Sequence, residues 1–181
     1  MNAVERASRT HGFDGFSYAD IAQEVGIKKA SIHHHFPSKA DLALALIERY
    51  QDNFLQALVD ISATQNLGGA RLQAYLDAYR VGMSGGKTIC LAVACSIGRK
   101  SLPDAAAKAL HHFHQNNIAW LTTQFEIGKQ DKSIAAVNDP ELEAAAACLA
   151  LVEGAQLQAR ASEDLARFDL AVSALQQRIT L

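Results

Sequence analysis

An all-α protein is what this sequence predicts, and three observations predict it. Only three of its 181 residues are Pro, so few positions are barred from a helix interior. Through most of the chain apolar residues return every three or four positions, the period of an amphipathic helix, with Ala-rich stretches between them. Breaks such as Asn66-Leu67-Gly68-Gly69 and Ser84-Gly85-Gly86 punctuate these runs. The reading gives about nine helices: a small three-helix unit at the N-terminus, then a body of six.

Residues 2–11 form the first helix, with Val4 and Ala7 inward and Gly12 at its end. Phe13 and Phe16 follow as anchors for a small core. Ser17 is a good N-cap, and Asp20 three residues on completes a capping box. In the next helix Ile21, Ala22, Val25 and Ile27 are expected to face inward. Gly26 stands where the chain turns sharply, because glycine enters the left-handed region at little steric cost. Lys28 to His35 is a second short helix, basic and free of acid. Ser38 and Asp41, after Pro37, repeat the capping device. Ile21, Val25, Ile27, Ile32, Phe36 and Leu42 are the expected common core. Two short helices joined steeply at a glycine make a helix-turn-helix, the motif that lays its second helix in the DNA major groove.

A long helix runs from Ser38 to about Ile61, with Leu42, Leu46, Tyr50, Phe54 and Leu58 on one face. The next, Ala70 to Met83, carries Leu72, Tyr75, Leu76 and Tyr79. Thr88 to Arg99 is almost wholly apolar and must be buried on most sides. Ser101 with Asp104 caps the following helix, which reaches about Ile127 and lines one face with Leu110, Phe113, Asn117, Leu121 and Phe125. Residues 128–138 read as a loop. Asp139-Pro140-Glu141 starts another helix with a cap, a proline and an acid near the positive end of the dipole. In it, positions 142, 145, 149, 152, 156 and 159 alternate by three and four. The last helix, from Ser162, continues that spacing with Leu165, Phe168, Val172, Leu175 and Ile179. A 3.5-residue period over two adjacent helices suits bundle packing. The alanines from 144 to 150 and Gly154 permit close helix approach. The functional boundary is expected near residue 45, with 1–45 as the helix-turn-helix domain and 46–181 as the body.

Composition narrows the function classes. The formal charge is −2, so overall charge does not advertise a polyanion partner. Residues 27–40, however, hold Lys28, Lys29 and Lys39 with three His and no acid, the local patch a phosphate backbone would meet. No apolar run is long enough to span a bilayer, and no secretory signal opens the chain, so a cytoplasmic location and no membrane partner are expected. Cys90, Cys95 and Cys148 lack CxxC spacing and read as reduced structural thiols. Cys90 and Cys95 leave open a redox or electrophile sensor. His33, His34 and His35 lie about 100° apart around a helix and cannot converge on one ion. His111 and His114 share a face but have no Asp, Glu or Cys close in sequence. No metal, no other cofactor and no enzymatic activity is expected, since neither a nucleophile–base spacing nor a phosphate-binding Gly loop is present.

The stretch GFDGFSYADIAQEVGIKKASIHHHFPSKADLALALI resembles the DNA-binding domain of TetR-type transcriptional regulators. Further on, Cys90-Leu91, Leu102-Pro103, Ala119-Trp120-Leu121 and Glu153-Gly154 resemble one branch of that family. The resemblance implies a two-fold homodimer of nine-helix subunits. Helices 1 to 3 would bind DNA, helices 5 to 8 would enclose a small-molecule effector, and helices 8 and 9 would form the dimer bundle. The chain departs from the family pattern at Ala7-Ser8, where a Leu-Phe pair is usual, at His33, where Tyr is usual, and at Lys28, where a capping Ser is frequent. The first helix therefore reads as clipped and thinly packed.

Each expected function has its residues. For double-stranded operator DNA they are Ser17 and Lys39 at helix starts, with Lys28, Lys29, Ala30, Ser31, His33 and His34 along the reading helix. For the effector they are Tyr75, Tyr79, Met83, Cys90, His114, Asn117, Trp120 and Gln156. Asn117 is the polar residue on an apolar face that asks for a partner, and Glu153 raises the same question. For the dimer they are Leu149, Val152, Leu165, Phe168, Val172 and Leu175. The leading expectation is a homodimeric repressor released from a palindromic operator by its effector, with recognition helices roughly 34–36 Å apart. A helical ligand-binding dimer without DNA binding is the alternative.

Overall fold

The computed structural model describes residues 1–98, 102–135 and 140–180, and among them it forms nine α-helices. They are α1 (Asn2–His11), α2 (Tyr18–Val25), α3 (Lys29–His35), α4 (Lys39–Thr64), α5 (Gly68–Gly82), α6 (Leu91–Ile97), α7 (Asp104–Gln130), α8 (Glu141–Ser162) and α9 (Leu165–Gln176). The one β feature among the described residues is an isolated antiparallel bridge between Ile134 and Ile179. The chain packs into two units, Met1–Asn53 with Ile89–Phe113, and Phe54–Thr88 with His114–Leu181.

The first unit contains α1 to α3. Ile21, Ile32 and Leu42 are buried as expected, with Phe13, Phe16 and Tyr18 around them. Val25 and Ile27, expected in this core, are instead 51% and 46% exposed. The reason is the turn itself. Gly26 has φ 76°, and its N–H and that of Ile27 both return to the Ala22 carbonyl, so the residues flanking it are wound outward.

α1 also differs from expectation. Ser8, not Ala7, is the inward residue, fully buried with its hydroxyl donating to the Val4 carbonyl at 2.8 Å. With only Ala3 and Val4 as apolar anchors, α1 is held by charge. Arg49 donates to Glu5 at 2.7 Å, Arg6 pairs with Glu24 of α2, and the Arg9 guanidinium donates to the Ile89 carbonyl at 2.8 Å.

The helix expected over Thr88–Arg99 is shortened to Leu91–Ile97. Ile89 donates its N–H to the Arg9 carbonyl, which draws it out of helical pairing, and the helix begins only after Cys90. Arg99 and the expected cap Ser101 lie outside the described residues, as does Asp139. α4 and α7 run to Thr64 and Gln130, about one turn beyond expectation.

In the second unit the start of α5 lies against the backbone of α7. A Cβ on Gly68 would sit 2.3 Å from the Gly128 nitrogen, so only glycine permits that approach. Asp131 accepts from the Gly68 N–H at 2.8 Å and Ser133 from Gly69 at 2.7 Å, capping α5 from a neighbouring segment. α8 ends at Glu163, which is left-handed, and α9 starts after Asp164, whose carboxylate accepts from the Ala166 N–H at 2.9 Å. That cap, rather than Ser162, sets the start of α9.

Candidate nucleic-acid interface

α3 lies between two helices that each begin with a capping box. Ahead of it, the Ser17 hydroxyl accepts from the Asp20 N–H, and Asp20 accepts from the Ser17 N–H at 2.7 Å, a full capping box. The hydrogen bonds from Ser17 hold the Asp20 carboxyl below the usual carboxylate range. Behind it, Ser38 and Asp41 repeat the box, with Asp41 accepting from the Ser38 N–H at 3.0 Å. Tyr18 ties the two together. Its hydroxyl lies 3.0 Å from the Phe36 carbonyl and 2.7 Å from that of Ser38, so α2 grips the corner between α3 and α4. Burial and the nearby Asp41 charge raise the Tyr18 phenol above its ordinary value. The sequence does not mark Tyr18 for this role. Its partners are carbonyls 18 and 20 residues away, and no local spacing announces them.

α3 itself is a helix of seven residues with one buried side chain, Ile32. Lys28, Lys29, Ala30, Ser31, His33 and His34 are all exposed, as is His35. Lys28 is the N-cap in extended conformation and makes no side-chain cap bond. The His33 ring packs on Tyr18 at 4.6 Å. Lys39 is placed differently from this group. Its ammonium donates to the Phe13 carbonyl at 3.1 Å and lies 4.7 Å from the Phe16 ring centre, fastening the start of α4 to the loop before α2. The fold therefore brings six of the eight residues onto one exposed helix and its cap position, while Ser17 and Lys39 serve its supports.

The expected effector residues fall in both units. In the second, Tyr75 donates to Asn117 Oδ1 at 3.0 Å and Asn117 Nδ2 donates to the Tyr79 oxygen at 3.1 Å. Asn117 is fully buried, and these two phenols are the partners it required. Trp120 stacks on Tyr75 with ring centres 5.6 Å apart and donates to the Ser62 hydroxyl at 3.0 Å. Phe54 meets both tyrosines edge-on. Gln156 and Met83 are buried in the same unit, and His114 lies 3.1 Å from Glu153. Cys90 belongs to the first unit, where the Tyr50 hydroxyl donates to its sulfur at 3.3 Å. Burial pushes the Cys95 and Cys148 thiols up to about 12, so both stay protonated and poorly nucleophilic.

On α8 and α9 the periodic residues turn toward each other. Leu149, Val152, Phe168, Val172 and Leu175 are buried within the single chain, and Leu165 is half-buried. Their seam is spent on intramolecular packing. The apolar positions these helices leave uncovered are Leu142, Leu157 and Leu170, 60%, 44% and 68% exposed, with small residues between them.

The family model for bacterial regulatory proteins of the tetR family matches residues 3–46. The HTH-type transcriptional repressor NemR of Escherichia coli K12 is 26% identical over 161 residues, 87% of this chain and 80% of that protein. A TetR transcriptional regulator from Legionella pneumophila superposes with a TM-score of 0.88 at 30% identity, covering 99% of this chain and 94% of the other. A TetR-family regulator from Agrobacterium tumefaciens gives 0.89 at 29% identity, covering 99% and 97%.

Proposed function

The chain belongs to the TetR family of transcriptional regulators, and from that premise we propose that it is a homodimeric repressor reading a palindromic operator through α3. One observation carries this: a short basic helix, clear of acid, is presented with all but one side chain outward, between two helices whose starts are closed by capping boxes. Lys28, Lys29 and Ser31 face phosphates and base edges, Ala30 offers its methyl to thymine, and His33 and His34 complete the contact. Ser17 and Lys39 act as supports that aim the helix. Residues 1–45 carry this function and 46–181 the response to effector, all within the cytoplasm.

We place a small effector of mixed polarity at the Tyr75–Asn117–Tyr79 group with Trp120 beside it, where aromatic rings meet one amide that would exchange a protein partner for a ligand group. Effector and DNA then weaken each other by the same factor. The dimer face is the uncovered side of the last two helices, formed by Ala146, Ala150, Gly154 and Leu157 of α8 and Leu170 and Ala174 of α9. A Cβ built on Gly154 meets nothing within 4 Å, so this face is open to a second copy.

Gel-shift with duplexes from the DNA flanking the gene tests the reading. Salt-sensitive, sequence-specific retardation at a promoter-proximal site is expected; retardation of all duplexes alike, or of none, would refute it.

A further inference from the structure

We propose that α3 takes up protons when it binds DNA, so that operator affinity is coupled to pH through His33, His34 and His35. The proposal rests on the reading of α3 as the DNA-contacting helix. Three imidazoles in succession, all exposed, form the last turn of α3. Successive helical positions step by about 100°, so the three fan across roughly 200° of the helix surface. With Ile32 turned into the core, any half of the helix surface presented to DNA holds at least one of them.

Their surroundings hold charge of both signs, but no carboxylate among the described residues is paired with a ring. Lys28 and Lys29 share the helix. From α2 come Tyr18, Asp20 and Glu24, and from α4 come Lys39 and Asp41. Each of these carboxylates is already engaged: Asp20 with Ser17, Glu24 with Arg6, and Asp41 with Ser38. Among the described residues none forms an ion pair with the three rings. The His33 ring lies tilted at 60° against the Tyr18 ring, whose hydroxyl is held at the Phe36 and Ser38 carbonyls. The His34 and His35 rings meet edge-on at 5.3 Å, so two imidazolium charges there repel each other.

DNA phosphates provide what the free helix lacks. A protonated ring is favoured in the complex more than in the free protein, and binding therefore draws protons in. Histidine as a residue type changes charge between pH 5 and 8, and that is the range in which the coupling is sought. The sign follows: affinity is greatest at low pH and is lost as pH rises and the rings of the complex deprotonate. Each proton taken up is worth at most roughly ten-fold in affinity per pH unit.

The test uses the full-length protein and a duplex it selects from sheared genomic DNA, with anisotropy titrations from pH 6 to pH 8 at fixed ionic strength. We expect Kd to rise roughly ten-fold or more over that range. The triple variant His33→Gln/His34→Gln/His35→Gln, in which His11, His111, His112 and His114 remain, should give a profile flat to within about two-fold. A double variant Lys28→Gln/Lys29→Gln should bind more weakly at every pH and keep the slope. Calorimetry of the unsubstituted protein in buffers of different ionisation enthalpy counts the protons without any variant. A flat profile or zero uptake on a selected duplex overturns the proton coupling alone, as does a triple variant that retains the slope. Failure to select any duplex at either pH overturns the DNA-binding reading and this proposal with it.

Discussion

Asn117 shows how much one buried polar side chain organises. It accepts from Tyr75 and donates to Tyr79, fixing two phenols that in turn meet Phe54 and Trp120. From sequence only the need is visible, a polar residue on an apolar face. The partners lie 42 and 38 residues away, and only folding pairs them. Replacing Asn117 by Ala removes both hydrogen bonds from a fully buried site, and a loss of about 2–3 kcal/mol is expected. Urea unfolding followed by circular dichroism measures it. A loss below about 0.5 kcal/mol, the range of surface substitutions, would show that the network does not hold the unit together.

Among the elements, α3 has little of its own to hold it. It has seven residues, one buried side chain and no N-terminal side-chain cap, so its stability is borrowed from the capped helices on either side. Lys28 stands where a capping residue would normally be. The extended backbone there, φ −75° and ψ 139°, already suits a cap. Lys28→Ser is therefore expected to raise unfolding stability by about 0.5–1 kcal/mol while weakening DNA binding, with denaturant unfolding and anisotropy as the paired measurements. Stability and affinity moving in opposite directions would identify Lys28 as a residue retained for contact rather than for folding. α1 makes the complementary point. The sequence shows its shortage of apolar residues, but not that Glu5, Arg6 and Arg9 tether it instead, because their partners come from α2, α4 and the segment before α6.

Across the whole molecule, local signals are legible in the sequence and assignments of face less so. Capping pairs, the glycine turn and helical periodicity depend on neighbours within four residues, and they place α2, α3 and α4 closely. Val25 and Ile27 defeat the pattern because periodicity says that a residue is apolar, not which way a left-handed glycine turns it. The heptad spacing of α8 and α9 identifies a real seam, but spacing alone does not distinguish a seam within one chain from one between two. The structure gives the seam to the single chain and leaves the small-residue side bare. A bulky charged side chain at Gly154 projects into open space and leaves the subunit intact. Gly154→Arg is thus expected to yield a folded monomer by sedimentation equilibrium, with DNA affinity reduced roughly hundred-fold because the second half-site is no longer engaged.

The claim on which the rest depends is that α3 reads DNA. Its most direct test is the salt dependence of binding to the selected duplex, compared between the unsubstituted protein and Lys28→Gln/Lys29→Gln. For every phosphate the variant no longer neutralises, the slope of log K against log salt should become shallower by about 0.9. A shallower slope with affinity reduced at least roughly ten-fold is the expected result. An unchanged slope and unchanged affinity would contradict the claim.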